Sequence, residues 1–153
     1  MRGSLARSLT AALSVLLLAA SDTALAPGLW EVRGTPEVAS LDGQVLGDFP
    51  LEAFETQLIC LTPADAADPV GLLFRDTVTD CTLGKSRFAG GVVRVSGTCA
   101  SQSDGPPGTV AIQGRYDRDS YAVTFATEAQ GENGLAAFSG SLVGCRIGDC
   151  PAH

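Results

Sequence analysis

The chain has 153 residues, with ten Lys plus Arg, 17 Asp plus Glu and a formal net charge of −7. This length predicts one domain. The acidic balance lacks the basic footprint of a nucleic-acid-binding protein, so DNA and RNA are not expected as partners. Eighteen Gly and eight Pro argue against a helical bundle or coiled coil.

The N-terminal segment has the layout of an export signal. Arg2 and Arg7 precede an apolar run over residues 9–20 that is too short to span a membrane, where roughly 20 apolar residues are needed. We therefore predict a signal peptide over residues 1–20, cleaved between residues 20 and 26 and preferably after Ala20 or Ser21. The alternative is a short anchor that stays in place. After cleavage the protein has eight basic and 17 acidic residues. We expect it to have no permanent membrane span and to be periplasmic or secreted.

Residues 27–151 are predicted to form a single disulfide-linked β domain. Its first strand is expected over residues 29–33, where Trp30 and Val32 share one face. A short helix is expected near 63–68, with Thr62 as N-cap, Pro63 in the first turn and Pro69 ending it. The predicted fold class is mainly β. We expect a single antiparallel sheet of about six to eight strands that is either strongly curved or a barrel-like meander.

Two hairpins have registers that follow from their turns. Pairing Tyr116 with Tyr121 puts the large apolar residues of both strands on one face. In the other hairpin Cys81 and Cys99 are equidistant from Gly90, which sets them opposite each other and allows a disulfide. A bulge in that turn would change this register.

In the last strand, residues 135–147, the apolar side chains fall on one face up to Leu142 and on the other face from Val143 onwards. This change suggests a bulge or bend near Gly140. Cys145 falls in the second apolar phase, so we expect a buried free thiol. By elimination Cys60 then pairs with Cys150, with Cys145–Cys150 as the competing pair. Disulfides are expected because export leads to an oxidising compartment. The cysteine spacings and the single His do not suggest a zinc site.

Several segments together resemble an exported bacterial family catalogued as domain of unknown function 3617. The resemblance rests on residues 27–32 (PGLWEV), 60–65 (CLTPAD) and 114–117 (GRYD), the central Cys81 and Cys99, and the terminal 148–150 (GDC). It covers about residues 27–151 and implies a periplasmic, disulfide-linked, β-rich domain with no established activity. Cys145 departs from the family pattern.

The tripeptide Gly28-Leu29-Trp30 is also similar to the G-x-W of lipocalin-like barrels. The similarity implies that Arg146, near the end of the last strand, packs over Trp30 in a cation–π contact. A closed ligand-binding barrel is one interpretation. The other is that Trp30 is a core aromatic residue at the start of a strand.

The sequence assigns no catalytic residue, cofactor or metal ligand. The only His is His153 at the C-terminus, which disfavours a Ser or Cys triad. Our main hypothesis is a non-catalytic binding or interaction domain whose partner is an apolar small molecule or another envelope protein. The alternative is a small hydrolase that acts on an envelope polymer through two carboxylates. Two neighbouring buried acids with raised pKa values would support the alternative.

Overall fold

The computed structural model describes residues 24–47, 55–74, 80–84, 86–100 and 106–152. The predicted signal peptide, residues 1–20, lies outside them. The described part contains nine strands and two short helices: β1 Gly28–Leu41, β2 Gln44–Val45, β3 Gln57–Leu61, α1 Pro63–Ala67, α2 Val70–Leu73, β4 Cys81–Leu83, β5 Arg87–Ala89, β6 Val92–Cys99, β7 Gly108–Tyr116, β8 Ser120–Gly131 and β9 Gly134–Gly148.

All nine strands belong to one antiparallel sheet, which confirms the predicted fold class. The main order is β2-β1-β9-β8-β7-β6-β4, with β3 on the outer edge of β1 and β5 on the outer edge of β6. Among the described residues no pairing joins these two edges, so the sheet is open and the closed barrel is not formed. The strand number exceeds the predicted range because β2, β4 and β5 have only two or three residues each.

The predicted helix is present and is held by a capping box. Thr62 Oγ1 accepts a hydrogen bond from the Asp65 N–H at 3.2 Å, and the Thr62 N–H donates to Asp65 Oδ2 at 3.0 Å. Helical structure does not end at Pro69, however. A second helix, α2, follows with Pro69 as its N-cap, because a proline before the first turn needs no N–H partner there.

The predicted register of the β7–β8 hairpin is confirmed, whereas that of the other hairpin is confirmed at Cys81 and Cys99 and is wrong by one residue near its turn. Tyr116 pairs with Tyr121, and Ile112 pairs with Phe125.

Across β4 and β6, Cys81 is the register partner of Cys99. Nearer the turn the register differs by one residue from that of β4, because Arg87 pairs with Arg94 and Ala89 with Val92. Three residues separate Leu83 from Arg87 but only two separate Arg94 from Gly97, and this extra residue brings Cys81 opposite Cys99.

The predicted change of phase near Gly140 is wrong. β9 keeps one unbroken register with β8, and the irregularity lies in the neighbouring strand β1, between Pro36 and Val38. A Cβ atom at Gly140 would lie 2.7 Å from Cζ of Phe125. The inward position is therefore a glycine because an aromatic ring from β8 already fills the space. With a glycine in this inward position, the alternation of apolar and polar residues along β9 no longer shows which side chains point to the core.

The core lies on the inner face of the sheet, which is covered by α2 and Phe74. Trp30 is fully buried, and its ring centroid lies 6.0 Å from that of Tyr121. Phe74 meets Tyr121 edge-on at 5.7 Å. The other large core residues come from β6, β7, β8 and β9, and include Val93, Val95, Val110, Ile112, Val123, Phe125 and Leu142.

Candidate apolar binding site

The cysteines pair as the sequence analysis predicts. Cys60 is bonded to Cys150 with a Cα–Cα distance of 5.4 Å, and Cys81 to Cys99 with 3.8 Å. The first disulfide fixes the chain end after β9 to the edge strand β3. The second crosses from β4 to β6 at the opposite edge of the sheet. The two bonds therefore hold both edges of an open sheet.

The predicted burial of Cys145 is wrong, although its thiol is free. Cys145 is exposed on the outer face of β9, between its register partners Glu31 and Ser120. The inward position next to it is Gly144, where a Cβ atom would overlap the ring of Tyr121. The apolar side chains of Val143, Cys145 and Ile147 thus lie on the outer face of the sheet.

Trp30 and Arg146 are register partners on β1 and β9. The Arg146 guanidinium donates from Nε to the Pro27 carbonyl at 2.8 Å, and Nη2 contacts Asp149 Oδ1 at 2.6 Å. The Trp30 indole N–H donates to the Ala26 carbonyl at 3.0 Å. These bonds join both ends of the domain, and the sequence analysis missed the carbonyl and Asp149 partners. A cation–π contact between the two side chains stays a prediction.

Gly28 is required where this network closes. Its φ is +144°, a conformation that other residues avoid, and a Cβ atom there would lie 2.5 Å from Nε of Arg146. The glycine of the G-x-W tripeptide is thus explained by its positive φ and by the close approach of the Gly148 carbonyl and the Arg146 side chain.

A cavity of about 250 Å³ lies between the inner face of β1, β8 and β9 and the end of α2. Most of its described lining is apolar, and two polar side chains come from the segment that begins β3. The apolar lining consists of Val32, Leu73, Phe74, Phe125, Phe138 and Leu142, and the polar lining of Glu55, Gln57 and Thr127. We call this space the apolar cavity.

In the described part of the chain, no two buried carboxylates lie together as the acid and base of a hydrolase would. No charged side chain there is buried. The hydrogen bond from the Thr62 hydroxyl lowers the pKa of Asp65, and the hydrogen bond from the Asp119 N–H lowers that of Asp117. Asp117 also accepts hydrogen bonds from Ser120, as expected of a hairpin turn.

No described helix is long and apolar enough to cross a membrane. No curated protein and no solved structure matches the chain. A family model described as "Protein of unknown function (DUF3617)" matches residues 25–150, a span that contains every strand, both helices and both disulfides of the described fold. The chain therefore belongs to the DUF3617 family.

Proposed function

We propose that this protein is an exported, non-catalytic domain that binds a small apolar molecule in the apolar cavity. The observation that carries the proposal is the cavity itself, which lies against the inner face of the sheet. Protein interiors are close-packed, and cavities larger than a water molecule are few per domain. A cavity of about 250 Å³ lined by three phenylalanines offers an apolar ligand many contacts.

The cavity volume limits the part of a ligand that can enter it to a small group. A dry cavity of about 150 Å³ takes one benzene, so about 250 Å³ accommodates roughly ten carbon atoms. Glu55, Gln57 and Thr127 place polar groups at the boundary of the cavity. The ligand is therefore expected to be apolar along most of its length, with any polar group directed towards these three side chains.

Export is supported by the N-terminal sequence and by the two disulfides, which persist in oxidising compartments such as the periplasm. The hydrolase alternative lacks the feature that would favour it, because the described carboxylates with shifted pKa values are shifted downwards and lie at a helix cap and a turn. Binding without catalysis is the function that the described site supports best.

The proposal is tested by titrating the mature protein with naphthalene, a neutral ten-carbon probe, followed by ligand-observed NMR and by thermal unfolding. We expect saturable binding and a raised Tm. Leu142→Trp should abolish binding because the larger ring fills the cavity, whereas Val143→Trp, one residue along β9 on the exposed outer face, should leave it unchanged.

A second pair of variants covers the case in which Leu142→Trp fails to fold. Thr127→Phe narrows the cavity from its boundary, and Ala126→Phe adds the same ring to the outer face of β8. Absence of naphthalene binding to the folded wild-type protein, or equal binding to both members of a folded pair, rejects the apolar cavity as the site.

A further inference from the structure

Three arginines on the outer face of β5, β6 and β7 have no counterion in the described part of the chain. Arg87, Arg94 and Arg115 are exposed, and none of them forms an ion pair among the described residues. Two other arginines do form ion pairs, Arg33 with Glu31 and Arg146 with Asp149, each at 2.6 Å. Arg118, in the turn between β7 and β8, forms none among the described residues. Three of the four described arginines without an ion pair thus lie on one part of the sheet.

The strand register makes this arrangement unfavourable unless an anion is bound. Arg87 and Arg94 are direct partners across β5 and β6, which places their Cβ atoms about 5 Å apart. Like charges in this position destabilise a sheet. β4, β5, β6 and β7 contain no Asp or Glu, so these strands themselves provide no compensating charge.

The two arginines border a groove of about 670 Å³ on the outer face. The groove lies where the edge of the sheet passes from β4 to β5, because these strands pair with different parts of β6. Its polar lining consists of Ser86, Arg87, Arg94, Ser96 and Gln113. We call it the arginine groove. It opens on the face of the sheet opposite to the apolar cavity.

The lining is rich in hydrogen-bond donors. A guanidinium group has five N–H donors and no acceptor, and hydroxyl and amide groups can add further donors. A ligand that matches this lining must supply negative charge and several acceptor oxygens. Phosphate supplies both: it carries up to two negative charges, one for each arginine, and its terminal oxygens accept paired hydrogen bonds from guanidinium. A single carboxylate would leave one arginine uncompensated.

We propose that the arginine groove binds a phosphate group, held by Arg87 and Arg94 with Ser86, Ser96 and Gln113 as additional donors. This site is independent of the apolar cavity and does not rest on the function proposed for it. The phosphate is either free inorganic phosphate or part of a lipid headgroup, and both sources present the same oxygens to the two arginines.

The test follows the backbone amide and arginine Nε–H signals of the ¹⁵N-labelled mature protein by NMR while inorganic phosphate replaces chloride at constant ionic strength. We expect saturable shifts at Arg87, Arg94 and Ser96. Arg94→Gln should weaken binding about tenfold, as expected for the loss of a hydrogen bond to a charged group. Arg118→Gln removes the same charge from the exposed turn between β7 and β8 and should leave the affinity unchanged.

A flotation assay distinguishes the two sources. Binding to phosphatidylglycerol vesicles, but not to phosphatidylcholine vesicles, that is lost in Arg94→Gln assigns the site to a lipid headgroup. Binding of inorganic phosphate without binding to phosphatidylglycerol vesicles assigns the site to free phosphate. The proposal is overturned if neither probe binds, or if Arg118→Gln weakens binding as much as Arg94→Gln. The Tm of Arg94→Gln should not fall, since the substitution removes a like-charge contact.

Discussion

The ring of Tyr121 on β8 occupies the space above Gly144 on β9 that any larger residue would need. The two residues are register partners, and a Cβ atom on Gly144 would overlap the ring. The ring also contacts Trp30 and Phe74, so it cannot move aside without disturbing the core.

Gly144→Ala should therefore lower the free energy of unfolding by about 1–3 kcal/mol, the usual cost of overpacking. Urea unfolding of the mature protein measures the change. Gly148→Ala is the matched control on the same strand, since nothing lies within 4 Å of a Cβ atom there. Equal stability of the two variants would contradict the close contact.

Tyr121→Phe is expected to stabilise the protein by about 1 kcal/mol. The Tyr121 hydroxyl is buried and has no hydrogen-bond partner in the described structure, so folding removes it from water without replacing its hydrogen bonds. Urea unfolding at neutral pH is the measurement. A loss of stability would mean that the hydroxyl has a partner.

The same residue makes stability depend on alkaline pH. Burial raises the pKa of Tyr121 well above its ordinary value. A group with a raised folded-state pKa contributes stability below its unfolded pKa of about 10, and that contribution declines as the pH rises above it. The wild-type protein should therefore lose more stability than Tyr121→Phe between pH 9 and pH 11. Parallel pH profiles of the two proteins would show that Tyr121 is not the cause.

Cys145 should react with a thiol reagent in the folded protein, because its side chain is exposed on the outer face of β9. Mass spectrometry of the alkylated, non-reduced protein should find one modified cysteine. Peptide mapping should then find Cys60 linked to Cys150 and Cys81 to Cys99. Protection of Cys145 until the protein unfolds, or a Cys145–Cys150 peptide, would contradict this assignment.

The two disulfides should contribute unequally to stability. Cys60–Cys150 spans 90 residues and Cys81–Cys99 spans 18, and in the chain-entropy model the longer loop stabilises by about 1 kcal/mol more. Replacing both cysteines of one pair by serine, one pair at a time, and comparing urea unfolding tests this difference. A larger loss on removing Cys81–Cys99 would indicate that strain or unfolded-state structure dominates.

Signal cleavage is predicted before Leu25 and not after Ala26. Leu25 is buried in the core, and the Ala26 carbonyl accepts the Trp30 indole N–H. Removal of both residues would leave that indole N–H unpaired, at a cost of about 1–3 kcal/mol. The intact mass of the exported protein identifies its first residue. An N-terminus at Pro27 would contradict cleavage before Leu25.

Local chemistry made much of the fold predictable. The turn between Tyr116 and Tyr121 fixes the register of β7 and β8, and the Thr62 capping box fixes the start of α1. The predicted phase change near Gly140 and the burial of Cys145 failed for one reason. Glycine carries no side-chain signal, so inward positions filled by rings from β8 could not be recognised in the sequence of β9.

The sequence by itself determined the β class and the register of the β7–β8 hairpin, because these depend on the period-two alternation of strands and on distances along the chain. The opposition of Cys81 and Cys99 also needs the one-residue shift between β4 and β5. Only the tertiary structure decided that the sheet stays open, that β9 presents Cys145 to solvent, and that a cavity remains beneath α2. Those features depend on which residues meet across distant strands. The same is true of the arginine groove, whose two arginines become neighbours only when β5 pairs with β6.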